Sequence, residues 1–428
     1  MALPVVLSMA MQAVYNVADS LFISHYSEIA FGGVSIIQPV LLFALALANG
    51  IASGSGSYLS QSLGGKDYDR ARKAVSTGWF LSFLFGFVSS LLLFILARPF
   101  VSLFSDDPVA SLSAVGYLKV ISPSIIFVFV SSLICFFLQS HGMPRKAMII
   151  QITGAIVNIV LDPIFIFSLD LGAVGAALAS AVGYFVSFVI ALIFYYRSKC
   201  IHAIAKFEKE SVRRIFNVAL PSTLAQGAGP IVGVVLNGLI VSYGIEVMAV
   251  YGMYLKAESF MFLAAQGISS ALIVIAGYNY GKGDYGRVRK SFSVSLAMAW
   301  SMMIVGFVLF QVFAPEIVRM FTNDDGLVSI GVPAFRSLCF CFLLTSPHII
   351  MTGLLQGLGR GGLSMSITYT RFFVFLIPLA FILNRIWGLS GLWFAYFAAD
   401  VPTLILLFVI QRYINRTILC NKTQQVVA

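Results

Sequence analysis

Apolar residues occupy this chain in long blocks, and polar residues gather in the short stretches between them. A helix of about 20 apolar residues crosses the roughly 30 Å hydrocarbon core of a bilayer. Blocks of that size fall at 2–24, 34–60, 76–97, 115–138, 147–169, 172–196, 215–243, 248–277, 291–313, 331–355, 364–384 and 388–411. The alternation that marks membrane β-strands is absent. The pattern predicts an all-α polytopic membrane protein with twelve transmembrane helices. The first block starts at Met1 with no basic stretch ahead of it, so it reads as a span that stays.

The blocks repeat. "GGKDYDRARK" (64–73) agrees with "GKGDYGRVRK" (281–290) at six of ten positions, at an offset of 217. The same offset joins Leu3-Pro4 to Leu220-Pro221, Phe104 and Asp107 to Phe321 and Asp324, and Gln139 and Gly142 to Gln356 and Gly359. Near the ends of the halves it becomes 216, joining Gly172 and Gly175 to Gly388 and Gly391. Six spans per repeat is an even number, so both halves enter the membrane in the same orientation. The expected organisation is a six-helix lobe at 1–196, a cytoplasmic linker at 197–214, a second six-helix lobe at 215–414 and a cytoplasmic tail at 415–428. Parallel six-span halves suit a transporter that rocks around a central cavity, for which a monomer suffices.

Composition sharpens this. The 428 residues are 59% hydrophobic and 10% charged, with mean hydropathy +0.95. Soluble domains carry about 25% charged residues. The net charge of +10 would suggest nucleic acid in a soluble protein, but the cations lie in alternate loops. Lys66, Arg70, Arg72, Lys73, Arg145, Lys146, Lys206, Arg213, Arg214, Lys282, Arg287, Lys290 and Lys422 fall on one side. Asp106, Asp107, Asp324 and Asp325 fall on the other. The bias places the basic side and both termini in the cytoplasm, with lipid headgroups rather than nucleic acid as partners. The loop at 64–73 lacks phosphate-loop spacing and follows no strand, so it reads as a topology-fixing turn. The odd count of five cysteines argues against a disulfide framework, and four scattered histidines give no clustered metal centre.

Six ionisable residues fall well inside spans: Asp19, Asp162, Lys256, Glu258, Arg371 and Asp400. A charge at the bilayer centre costs several kcal/mol, so such residues mark cavities or partners. At the repeat offset Asp19 meets Leu236, Asp162 meets Leu379, Glu258 meets Leu41 and Asp400 meets Tyr184. The scaffold is duplicated and the acids are not, which points to function. Asn158 and Asp162 are i, i+4 and share a helix face. Pro163 has no N–H and clashes with the carbonyl of Ile159, which makes it a predicted hinge. Asp19 reaches a similar depth, with Tyr15 and Asn16 nearby. Two carboxylates, an amide oxygen and a loosened carbonyl suit a proton or a hard cation such as Na⁺; the structural alternative is that Asp162 caps a broken helix. Glu258 either neutralises Arg371 or meets a cationic substrate or second ion. Asp400 is a further substrate or second-ion candidate, or marks a kink with Pro402. Lys256 and Arg371 read as counter-ions. The 38 Phe, 17 Tyr and 14 Met suit flat lipophilic cations.

"YNVADSLFISHY" (15–26), "NIVLDPIFIF" (158–167), "QSHGMPRKAM" (139–148) and "YGMYLKAESFMFLAAQGISSALIVIAGYNYGKGD" (251–284) closely resemble the multidrug and toxic compound extrusion (MATE) family, in its bacterial DinF-like branch. The resemblance runs nearly end to end. It implies a two-lobed secondary antiporter that exports lipophilic, mostly cationic and aromatic compounds in exchange for H⁺ or Na⁺ by alternating access. It implies no enzyme activity and no cofactor beyond that ion. In that branch the amino-terminal lobe carries the cation site, which here falls on Asp19, Asn158 and Asp162. The rival reading is an exporter or flippase of a natural metabolite or lipid-linked glycan. That would call for basic cavity residues, whereas the buried acids outnumber Lys256 and Arg371.

Overall fold

The computed structural model describes residues 2–104, 107–203 and 208–418. Asp106, Lys206, Cys420, Lys422 and most of the expected tail lie outside the described residues. Among the described residues the structure is helical and contains no strand. By packing, the chain divides into two compact units, 1–223 and 224–428.

The first unit contains α1 (Ala2–Tyr26), α2 (Glu28–Gly64), α3 (Tyr68–Ile95), the short α4 (Ala97–Val101), α5 (Pro108–Ile121), α6 (Ile125–Ser140), α7 (Pro144–Pro163) and α8 (Gly172–Arg197). It also takes the first half of α9 (Lys209–Ile240). Helices α5 and α6 join through a tight turn at Ser122–Ser124 and make one crossing, Pro108–Ser140. The core is drawn from Ile37, Phe129, Phe137, Leu138 and Ile166, all fully buried. The outward faces stay apolar: Phe80, Phe87 and Leu91 are exposed on α3, as a helix solvated by lipid requires.

The second unit repeats the plan. It contains the rest of α9, then α10 (Ile245–Lys282), α11 (Tyr285–Val312), α12 (Ala314–Arg319), α13 (Asp325–Leu338), α14 (Phe342–Gly357), α15 (Gly361–Tyr369) and α16 (Ile377–Tyr413). The repeat read from sequence reappears in the helix caps. The Asp67 side chain accepts from Arg70 N–H at 3.0 Å to start α3, and Asp284 accepts from Arg287 N–H at 3.0 Å to start α11. Asp107 accepts from Val109 N–H at 2.8 Å to start α5, and Asp324 accepts from Gly326 N–H at 2.7 Å to start α13. A side-chain oxygen at the N-cap satisfies an N–H that the first helical turn leaves free. The loop at 64–73 is therefore a capped turn.

Eleven helical stretches among the described residues are long and apolar enough to cross a membrane, one fewer than the twelve predicted. The difference lies in the last stretch, Gly361–Thr417, which is 57 residues long. At 1.5 Å per residue it would reach on the order of 85 Å if straight, far more than one bilayer. Gly388 interrupts it with φ 59° and ψ −138°, a left-handed φ that glycine adopts at no steric cost. The predicted spans 364–384 and 388–411 meet at this corner, and the fold is the twelve-helix, two-lobe arrangement.

Candidate functional site

Helices α7 and α8 approach closely because neither carries a side chain at the crossing. A Cβ at Gly183 would lie 2.8 Å from the Gly154 carbonyl oxygen. Small residues at such crossings let membrane helices pack backbone to backbone. One turn beyond Gly154, Asn158 is thereby laid against α8. Its amide donates to Ser180 Oγ at 3.1 Å and more weakly to Asp162 Oδ1 at 3.4 Å. Asp162 is 0% exposed and Asp19 8%. The two carboxylates are near enough to interact electrostatically, and both influence Tyr15 and Tyr117.

Among the described residues three oxygens here have no hydrogen-bond partner: Asp19 Oδ1, Asn158 Oδ1 and Asp162 Oδ2. Neither acid takes part in an ion pair among the described residues. A buried, unsatisfied polar atom costs about 1–3 kcal/mol, and a buried uncompensated charge more. Two adjacent buried carboxylates without a counter-ion call for a proton or a small cation. The donor set, all oxygen, fits either. Among the described residues no three His, Cys, Asp or Glu side chains converge as a metal cluster.

The sequence candidates separate here. Tyr15 lies beside Tyr184 and Gln12 at the edge of the cluster. The Asn16 side chain is exposed, away from it. Pro163 ends α7, and a π-turn follows at Ile164–Ser168; such wider turns recur at functional sites. Ser180, Tyr117 and Tyr184 escaped the sequence reading. The only signal was Ser180 and Tyr184 at i, i+4 in an otherwise apolar span.

The second unit holds a different cluster. Arg371 Nε donates to Asp400 Oδ1 at 2.5 Å, Thr345 Oγ1 donates to Asp400 Oδ2 at 2.7 Å, and Arg371 Nη2 reaches Thr345 Oγ1 at 3.2 Å. Arg371 is thus the counter-ion of Asp400, not of Glu258. Glu258 feels both charges, but it is half-buried and among the described residues makes no hydrogen bond or ion pair. Tyr251 and Tyr396 pair their hydroxyls nearby at 2.5 Å. Lys256 lies on an exposed face of α10. Among the described residues four cysteines are free and buried; burial pushes the Cys200 thiol, in the loop after α8, up to about 11.

The described residues thus form a helical membrane bundle in two repeated units, with an acidic cluster outside any ion pair in one of them. The MatE family profile matches residues 4–164 and 221–382, one match per repeat. The chain belongs to the MatE family. It is 28% identical over 414 residues to the multidrug export protein MepA of Staphylococcus aureus, covering 93% of this chain and 89% of that one. It is 26% identical over 431 residues to MepA of Staphylococcus haemolyticus, covering 97% and 93%. Among solved structures it resembles a MATE protein in complex with MaL6, with TM-score 0.93, 23% identity and coverage of 96% and 94%. It also resembles a MOP superfamily transporter from Pyrococcus furiosus, with TM-score 0.92, 23% identity and the same coverage.

Proposed function

We propose that this protein is a secondary antiporter that exports lipophilic, mostly cationic compounds in exchange for H⁺ or Na⁺. Asp19, Asn158 and Asp162 bind the coupling ion. The observation that carries this reading is the set of three unpartnered buried oxygens, with no basic side chain paired to them. Charge-neutral occupancy by a proton or cation removes their cost, and loss of the ion restores it. That alternation is a differential stabilisation of two states, which is what an ion must supply to drive a conformational cycle. Pro163 and the π-turn after it give α7 a place to bend. The small-molecule export named for the Staphylococcus relatives supports the multidrug reading. Glu258 is the second-site candidate in the other unit, and Asp400, held by Arg371 and Thr345, serves the fold. The basic loops face the cytoplasm of a bacterial inner membrane, with both termini there, and one chain suffices.

The test is ethidium exchange in proteoliposomes under an imposed pH gradient and, separately, a Na⁺ gradient. One gradient drives the wild type. Asp162→Asn lowers the driven rate by more than about tenfold. Wild-type exchange by Asp162→Asn, or no response to either gradient, would remove the assignment.

A further inference from the structure

The helices that carry Asp19 and Asp162 are clipped together at the end of the bundle bearing few cations. Tyr26, the last residue of α1, donates its hydroxyl to Asp170 Oδ1 at 2.8 Å. Asp170 lies in the short loop after the π-turn and holds φ at 53°, a left-handed value uncommon outside glycine. Two residues on, Gly172 has φ 52°. A Cβ there would lie 2.6 Å from Tyr26 Cε1, so only glycine leaves room for the ring. Asp19, Phe22 and Tyr26 follow at i, i+3 and i+7 and share one face of α1. Phe167, in the π-turn, packs edge-on against Phe22 at 6.3 Å between ring centroids and against Tyr26 at 6.2 Å. Three aromatic rings and one hydrogen bond therefore lie along the helices between the acids and the acid-bearing surface. His25, beside Tyr26, is turned back onto the Leu21 carbonyl at 2.9 Å. Among the described residues Tyr26 is the titratable group that faces Asp170.

The second unit supplies an internal control. Tyr243, at offset 217 from Tyr26, donates to Asn384 Oδ1 at 2.7 Å. Gly388, at offset 216 from Gly172, also has positive φ, 59°. The tyrosine donor and the positive-φ glycine are part of the duplicated scaffold; the acceptors stand at different positions, Asp170 two residues before its glycine and Asn384 four before its own. The acceptor is a carboxylate only in the unit that carries the unpaired acids; behind the neutral clip the equivalent positions are Leu236 and Leu379. A neutral amide makes the same hydrogen bond, so holding the helices together does not need the charge. The charge serves something else.

We propose that Tyr26 and Asp170 form the outer gate of the coupling-ion path, with Asp170 the carboxylate that senses the arriving cation. This rests on the coupling-site reading given above. With the clip closed, Tyr26, Phe22 and Phe167 tie the end of α1 to the turn after α7, beyond Asp19 and Asp162 along each helix. An arriving cation held by the exposed Asp170 carboxylate competes with the Tyr26 hydroxyl, frees α1 from the loop and opens the path.

The test uses full-length protein in proteoliposomes, with ethidium as cargo and the cation that drives the wild type. Asp170→Asn copies the neutral clip, and asparagine tolerates left-handed φ. It keeps the wild-type melting temperature and raises several-fold the external cation concentration for half-maximal exchange. Tyr26→Phe opens the clip and produces cation leak without ethidium, read by a dye trapped in the vesicles. Unaltered half-saturation and leak in both variants overturn the gate, as does a fall in melting temperature with neither readout moved. Asp162→Asn is run in parallel. If it is inert while both clip variants match the wild type, only the gate is wrong. If it exchanges normally, the coupling site is wrong and the gate falls with it.

Discussion

The same residue type does opposite things in the two units, and hydrogen bonding tells them apart. Asp400 has both oxygens engaged, by Arg371 and Thr345, at 1% exposure. Asp162 is as deeply buried and keeps one oxygen with no partner. Removing one member of a buried pair strands the other charge. Arg371→Met or Asp400→Leu alone is therefore expected to cost about 3–5 kcal/mol, and the double variant to recover most of it. Asp162→Asn removes a charge that has no counter-ion, so it should melt at or above the wild-type temperature. Thermal unfolding in detergent checks all four variants; equal destabilisation by Asp162→Asn and Asp400→Leu would contradict the distinction. Both acids were visible in sequence as charges in apolar spans, because their cost is a property of the residue. Their partners were not. Arg371 and Asp400 sit on different spans, and which cation meets which acid depends on how helices pack. The same reason hid Ser180 and Tyr117, which are unremarkable until α7 is laid on α8 and α5 is near them.

At the scale of elements, α9 is the informative helix. Its charge pattern marked 197–214 as a connector, yet packing carries the first unit on to residue 223. Glycines on α2 explain why. A Cβ at Gly54 would lie 2.6 Å from the Ile215 carbonyl oxygen, and one at Gly50 would lie 2.7 Å from the Ala219 carbonyl oxygen. Thr223 Oγ1 bonds the Ala219 carbonyl at 2.9 Å and reaches Ala46 O at 3.4 Å. Beyond Pro221 the helix changes character: a Cβ at Gly227, Gly229 or Gly233 would meet nothing within 4 Å. Gly54→Ala forces two backbones apart and should cost about 1–3 kcal/mol. Gly227→Ala adds a methyl in open space and lowers the cost of helix by roughly 0.5–1 kcal/mol. Melting temperatures of the two variants should therefore move in opposite directions. The periodicity could place α9 in the membrane but not assign its halves, because apolarity reports burial from water, not which neighbour does the burying. Gly388 shows the same limit. A change of polarity near Arg385 separated the last two spans in sequence, while the helical hydrogen bonding runs through the corner.

For the whole molecule, the repeat and the charge bias are separate arguments that constrain one another. Two copies of a six-span unit enter in one orientation only if each copy crosses an even number of times. The caps at Asp67 and Asp284 must then share one membrane face, and those at Asp107 and Asp324 the other. Lys66 precedes α3, whose first turns carry Arg70, Arg72 and Lys73; Lys282 ends α10 just before α11, whose first turns carry Arg287, Arg289 and Lys290. Cations near span ends resist translocation, so both caps with basic neighbours are expected on the cytoplasmic face. Reporter fusions read this directly. Green fluorescent protein joined after Lys66 or Lys282 should fluoresce. Alkaline phosphatase, active only outside, should work after Asp107 or Asp324 and fail after Lys66 or Lys282. Agreement between the paired positions tests the parallel repeat, and the sign of the result tests the orientation. Opposite results within a pair would mean an odd number of crossings between the paired positions, and the parallel repeat would fall. The same sign decides which face of the membrane Asp170 meets, and so whether the ion that reaches Asp19 and Asp162 past Tyr26 comes from outside the cell.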